Sequence, residues 1–167
     1  MQTTRKQLEE LFRELNERID EINRERQGAG LLGSPKAKVQ ILGQISLLAH
    51  EKASLILSLA QTGDLDALLV MDPIVTGELK KILTKQGLIY DEDSYLIWIP
   101  PNSKFEALLD LDHVFVESID PESALVSKAV KAPAKNKLLI REAIASDAFP
   151  NLVDRILENG GNLEDFI

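Results

Sequence analysis

Leu8, Leu11, Leu15, Ile19 and Ile22 recur at intervals of three and four residues, with Phe12 beside them and Glu and Arg filling most other positions. That spacing predicts a long exposed helix over residues 4–27 with one narrow apolar stripe. A chain that opens this way must supply a surface to cover the stripe, either elsewhere in the same molecule or as the seam of a dimer. The length falls short of the roughly three to four heptads of a free-standing coiled coil, so a packed helix is expected. Gly28-Ala29-Gly30-Leu31-Leu32-Gly33 matches G-x-G-x-x-G. A dinucleotide site needs a strand before that motif and a helix opening within it, whereas here a charged helix precedes it. Followed by Ser34-Pro35, the stretch reads as a helix end and linker. The expected organisation is an N-terminal amphipathic helix and Gly-rich linker over residues 1–35, then a folded domain over 36–167.

Size and charge narrow the function classes. A chain of 167 residues, 44% hydrophobic and 28% charged, suits one ordinary domain with a real core and a helical appendage. A net charge of -8 argues against a broad nonspecific grip on nucleic acid, which needs clustered positive charge. The absence of cysteine removes disulfides, thiolate metal sites and thiol nucleophiles together. No apolar run approaches the roughly 20 residues that span a bilayer, so no membrane partner is expected. Charges recur throughout residues 5–27 and leave no signal core, which makes a cytoplasmic protein the expectation.

Along the rest of the chain, helices and strands mix. Residues 36–60 read as mostly buried helix, broken around His50-Glu51-Lys52, with a strand at Val39–Leu42 as the alternative. His50-Glu51 begins like H-E-x-x-H, but Ser54 stands where the second His belongs, so a zinc site is rejected. Asp72-Pro73 starts a helix over 73–86 that Gly87 stops. Leu88–Tyr90 and Tyr95–Ile99 are expected to form a hairpin around a solvated turn, Asp91-Glu92-Asp93-Ser94. Phe105–Leu109 reads as a short turn or helix and Val114–Glu117 as a strand; helices follow from Asp120 to about Val130, over Lys135–Ala145 and over Phe149–Asn159. This order gives an α+β class with a small, mostly antiparallel or mixed sheet.

Thr62-Gly63-Asp64-Leu65-Asp66 leads into the apolar run Ala67–Val70. If residues 64–70 are extended, Asp64 and Asp66 face the same side, because side chains alternate along a strand. Two carboxylates so placed repel unless a cation or a basic group lies between them. Oxygen ligands of that charge suit Mg2+ or Mn2+ held against the phosphates of a nucleotide. A solvated acidic turn with no metal is the plain alternative. A hydrolase triad has no support, since neither of the two His residues sits in a nucleophile motif.

Three stretches of the middle of the chain resemble the nucleotidyltransferase superfamily, the DNA-polymerase-beta-like fold, in its abortive-infection or toxin–antitoxin type. The first is Ile41-Leu42-Gly43-Gln44 followed by Thr62-Gly63-Asp64-Leu65-Asp66, similar to that family's Gly-Gly or Gly-Ser element and its T-x-D-h-D-h motif. The second is Leu96-Ile97-Trp98-Ile99-Pro100-Pro101. The third is Asp120-Pro121-Glu122-Ser123-Ala124-Leu125-Val126-Ser127-Lys128, followed by Lys135-Asn136-Lys137. The resemblance covers about residues 38–145. It implies a small mixed sheet flanked by helices, and metal-dependent transfer of a nucleoside monophosphate from a nucleoside triphosphate to an acceptor. On that basis Asp64 and Asp66 would hold Mg2+ or Mn2+, Gly43 would lie against the triphosphate, and Lys128 would sit near its phosphates as a point charge.

The family pattern also implies a third carboxylate on a neighbouring strand. Asp112 and Glu117 are the candidates, ahead of Glu106 and Asp110, which are expected in a helical turn. The sequence departs from the family in three places: Gln44 stands where a second small residue is usual, the gap from Gly43 to Asp64 is long, and Asn136 replaces a usual Asp. Two other functions stay open beside the enzyme: a noncatalytic module of the same fold, and a protein that binds a partner or itself through its first helix. Lys128, Lys131, Lys135 and Lys137 have a plain alternative as solvated helix faces, and Trp98 and Tyr95 as core or interface. An Asp64→Asn, Asp66→Asn variant is expected to lose activity with stability nearly unchanged.

Overall fold

The computed structural model describes residues 5–167; Thr4, where the expected first helix begins, lies outside the described residues, as do the three before it. The first helix, α1, spans Arg5–Gly28. Its stripe is covered inside the molecule: Leu8, Leu11, Phe12, Leu15, Ile19 and Ile22 are all buried. The first five share one core with strand β1 (Ala37–Ile41) and helix α4 (Pro73–Lys85). The two alternatives left open by the periodicity therefore resolve to packing within the chain. Polar contacts follow the same seam. Arg18 bonds Glu78 at 3.3 Å, Arg26 bonds Asp72 at 3.0 Å, and Lys85 pairs with Glu14.

The fold is α+β, with seven helices and a four-stranded mixed sheet among the described residues. Strand β3 (Ala67–Val70) lies at one edge, antiparallel to β1. On its other side β1 runs parallel to β6 (Val114–Ile119), which is antiparallel to the second edge strand, β5 (Phe105–Asp110). Alternation along β1 places Ala37, Val39 and Ile41 against α1 and α4. Gln40 faces the opposite side, level with Leu68 on β3 and Glu117 on β6. Over the far end of that second face lies another core, built from Leu42, Leu47, Ile119 and three helices: α5 (Pro121–Lys131), α6 (Lys137–Ala145) and α7 (Leu152–Glu158).

Local chemistry explains several of these elements. Asp72 accepts the Ile74 N–H at 2.9 Å, and Pro73 takes the first helical position of α4. Asp120 repeats the device before α5, accepting from the Ser123 N–H at 3.0 Å with Pro121 behind it. Over residues 36–60 the strand alternative holds at the start of a segment otherwise read as mostly helix. These residues form β1, then α2 (Gly43–Ala49), then α3 (Glu51–Ile56). The break does fall at His50, whose Nδ1 accepts the Ala53 N–H and caps α3. That histidine has a structural role.

Two expectations about strands fail. Phe105–Asp110 is a strand, not a turn or helix; it lies at the sheet edge with a bulge between Ala107 and Leu109, so its burial does not alternate cleanly. The expected hairpin over 88–99 does not form. Strand β4 (Ile89–Tyr90) instead pairs in parallel with β2 (Asp64–Leu65), and Ser94–Leu96 is a 3-10 turn. This second pairing brings the acidic run Asp91–Asp93 back to the aspartates of residues 64–66. No helix among the described residues is long and apolar enough to cross a membrane.

Candidate functional site

The run 64–70 is extended, as expected, but interrupted at Asp66, which separates β2 from β3. Leu65 and Ala67 are buried, Asp64 is exposed and Asp66 is half-buried. Alternation therefore sends both carboxylates to the side away from the core containing Leu65 and Ala67. The break is stitched on each side. The Leu65 carbonyl accepts the Asp91 N–H at 3.0 Å, and the Ala67 N–H donates to Ser94 Oγ at 3.0 Å. Tyr90 Oη donates to the Ala67 carbonyl at 2.8 Å, and the Ser94 hydroxyl donates back to the Asp91 carbonyl at 2.6 Å.

Asp91 is thereby held beside Asp66, close enough for its carboxyl to act on that of Asp66. Burial, then Asp91 and then the charge of Asp64 push the Asp66 pKa up to about 7, opposed by Lys128. Like charges so close disfavour the ionised form of Asp66. Ser94 carries this arrangement and is fully buried. Ser94→Ala should leave the Ala67 N–H without its partner and cost about 1–2 kcal/mol, read as a lower midpoint in urea with an unchanged slope.

Gly43 supplies the floor. Its φ of +62° suits glycine, and a Cβ there would run into Asp66 Oδ2 and approach Asp66 Cβ to 3.2 Å. The Leu42 N–H donates to the Asp66 carbonyl at 2.8 Å, so the β1–α2 turn grips Asp66 by backbone and side chain. Gln44 turns away, its side-chain amide donating to the Ala60 carbonyl at 2.8 Å.

Lys128, on α5, is near enough for its charge and that of Asp66 to act on each other. Burial and the neighbouring charge of Lys135 lower its pKa, and Asp66 partly restores it. Beyond it opens a cavity of about 460 Å3 lined by Lys128, Lys135, Lys137, Asn136, Gln44 and Thr62, among others, with no carboxylate in its wall. Thr62 joins the two regions, because its Oγ1 accepts the Asp64 N–H at 3.1 Å. One turn along α5, Lys131 Nζ lies 5.1 Å from the centre of the Trp98 ring.

The structure thus brings together Asp64, Asp66, Gly43 and Lys128, and it leaves Asp112 out. Asp112 lies just before β6, at the end of the sheet where the Ala37 N–H donates to the His113 carbonyl. Asp66 is at the other end of β1, about 16 Å away for five residues of strand. Asp112 instead lines a hollow with Asn16, Asp20 and His113, whose Nε2 is 3.1 Å from Asp20. Glu117 is on the correct face of the sheet, but it is two strands and two residues removed. It is also occupied by Gln40 at 2.8 Å and Lys38 at 3.6 Å. Glu106 and Asp110 belong to β5, and the helical turn expected for them does not form.

Sequence reasoning missed Asp91, Ser94 and Tyr90. A signal was present: Asp91-x-Asp93-Ser94 is an Asx-turn sequence, and the Asp93 N–H donates to Asp91 Oδ1 at 2.9 Å. An ordered turn is a poorer match to a solvated hairpin tip than to a loop packed on something. Among the described residues, no three His, Cys, Asp or Glu side chains converge closely enough to hold a metal ion by themselves. Comparison with family models, curated proteins and solved structures found no match.

Proposed function

We propose that this chain is a nucleotidyltransferase-like protein that binds a nucleoside triphosphate with Mg2+ or Mn2+ and transfers its nucleoside monophosphate to an acceptor hydroxyl. The observation that carries this is Lys128, which lines the lysine-rich cavity and whose charge also acts on the Asp66 carboxyl. A place for a cation and a place for phosphates adjoin.

The donor set fits the metal. Mg2+ keeps several waters and is commonly held by one or two carboxylates together with substrate phosphates, so Asp64 and Asp66 suffice without a third protein ligand. The raised pKa of Asp66, from burial and then from Asp91 and Asp64, marks a place where negative charge is poorly compensated, which a divalent cation relieves. When bound, the metal would neutralise phosphate charge and orient the reacting oxygens. Gly43 and the stitched 91–94 loop keep Asp66 in place, and Lys128 balances phosphate charge. In the transfer, a P–O bond forms from the acceptor hydroxyl to the α-phosphorus as the α–β bridging P–O bond breaks. Pyrophosphate leaves with that electron pair, and the hydroxyl proton passes to solvent.

Gln44 favours a second reading, a noncatalytic triphosphate-binding module of the same kind. Its side chain fastens the 58–62 loop at the position where the resembled family has a small residue against the triphosphate. Both are tested by thermal denaturation with a nonhydrolysable triphosphate and Mg2+. At ligand about a hundredfold above its Kd the melting temperature should rise by several degrees, and the rise should vanish in Asp64→Asn, Asp66→Asn. No rise, or one that persists in the variant, would overturn both. Binding without pyrophosphate release from hydrolysable triphosphates across an acceptor screen would leave the module.

A further inference from the structure

The lysine-lined cavity contains more than the nucleotide proposal requires. Lys128, Lys135 and Lys137 converge there, and among the described residues none of the three forms an ion pair, in a chain with 27 carboxylates and a net charge of -8. Elsewhere on the surface some lysines find acids, such as Lys36 with Asp110, Lys80 with Glu92 and Lys81 with Glu78, while others without an ion pair among the described residues, such as Lys52 and Lys104, do not converge on a common cavity. Three cations around one hollow with no acid in its wall raise each other's energy; the Lys128 pKa is lowered first by burial and then by Lys135, and Asp66 offsets only part of this.

The backbone at the same place is also incomplete. The hydrogen-bond ladder of α6 begins with the Ile140 N–H donating to the Asn136 carbonyl, so the amides of Lys137, Leu138 and Leu139 lie ahead of it. Asn136 stands at the capping position without capping: its side-chain amide donates to the Ala132 carbonyl at 2.9 Å. Residues 134–139 form one wall of the cavity. Across from them the 58–62 loop is held by Gln44 through Ala60 and by Glu142 through the Ser58 N–H. Leu138, 74% exposed, contributes no packing that would explain the hollow.

The start of α2, by contrast, is closed to phosphate. The Asp66 carboxyl sits over Gly43 within van der Waals reach of its backbone and fills the place an anion would need there. We propose that the cavity is a metal-independent polyphosphate subsite, in which the tail of the triphosphate lies against Lys135, Lys137 and the first turn of α6, not against the start of α2. This deepens the nucleotide proposal by fixing where the β and γ phosphates go, and it makes the site selective for ligands with at least two linked phosphates. Lys128, shared between this cavity and Asp66, sets the junction with the α-phosphate.

The test is calorimetric titration of the full chain with inorganic tripolyphosphate, with EDTA present and at low ionic strength. Wild type should bind, and Lys135→Ala, Lys137→Ala should weaken binding at least tenfold. Lys80→Ala, Lys81→Ala, which removes the same charge on α4, should weaken it less than threefold. Asp64→Asn, Asp66→Asn should bind as well as wild type or better. Absence of binding in wild type, or equal losses in the two lysine variants, would overturn the subsite. The nucleotide proposal fails separately, if Mg2+-dependent triphosphate binding ignores the aspartates while tripolyphosphate still needs Lys135 and Lys137.

Discussion

Asp66→Asn should make the protein more stable at pH 8, by about 2 kcal/mol or about 4–8 °C in melting temperature. The gain should fall to less than half of that at pH 5. In the folded state the Asp66 carboxyl is pushed from its ordinary 3.8 up to about 7, first by burial and then by Asp91 and Asp64. A carboxyl whose folded pKa is raised contributes most at low pH, where it is protonated in both states. It loses that contribution as pH climbs from about 4 through about 7, because the unfolded chain ionises freely and the folded one resists. The full displacement would be worth about 4 kcal/mol; Asp66 is half-exposed, and solvent screening roughly halves it. Asn keeps the shape, can donate to Asp91 and never ionises, so the penalty disappears. Melting curves at pH 5, 6, 7 and 8 for both proteins check this, and a gain that does not grow with pH would refute it. The outcome also bears on function. The residue pattern alone predicts that removing the two aspartate charges leaves stability nearly unchanged, whereas the geometry predicts that stability rises. A protein that keeps a charge cluster at a cost to its own fold keeps it for something other than folding.

What could be read from the sequence followed a simple physical line: local chemistry was legible and non-local pairing was not. Asp72-Pro73 and Asp120-Pro121 announce α4 and α5 because an Asn or Asp cap and a proline at the first helical position are local preferences. The break at His50 was legible for the same kind of reason, as was the exclusion of the Gly28–Gly33 motif, which lies in the connection after α1. Ile89–Tyr90 could be read as strand, but nothing in two residues says that its partner is Asp64–Leu65 across a helix. From that one missed pairing came the misplacement of the acidic run. Asp91 looked like a solvated turn because its neighbours in sequence are polar; its neighbours in space are Asp66 and the ends of β2 and β3.

The error over Asp112 has a related cause. Strand β6 was anticipated, and an acid next to it was a reasonable candidate, but strand direction decides which end of the sheet such an acid occupies. Because β6 runs parallel to β1, the residues that precede it sit with Ala37, far from Gly43. Periodicity encodes faces and not ends. Asp64, Asp66 and Gly43 lie together because each sits at an element boundary, and those boundaries meet at one end of β1, whereas Lys128 comes near Asp66 from within α5. The lysine cavity was within reach as a list of residues, Lys128, Lys135 and Lys137, but not as a place. Its walls come from α5, α6 and the loop that Gln44 fastens.

Gly43→Ala should be the most damaging single methyl in the site, costing about 2–4 kcal/mol and lowering the melting temperature by about 5–12 °C. A left-handed φ of +62° accounts for roughly 1–2 kcal/mol in an alanine. The rest comes from Asp66, whose carboxylate and Cβ both stand where the new methyl must go and whose backbone is held by the Leu42 N–H, so that relief must come from the side chain. Introducing the same change into an Asp66→Ala protein should reduce its cost to the backbone part, giving a coupling of about 1–2 kcal/mol between the two positions. Equal losses in both backgrounds would mean that Gly43 and Asp66 do not touch. The same variant separates two roles for this glycine. If its purpose were close approach of a triphosphate, Gly43→Ala would abolish metal-free tripolyphosphate binding. If the phosphates lie at α6 and Gly43 only seats Asp66, that binding should persist in the folded fraction at low temperature, while Mg2+-dependent nucleotide binding is lost. On the second outcome Gly43 is a positioning residue, and phosphate recognition lies at the helix beyond Lys128 and not at the helix after β1.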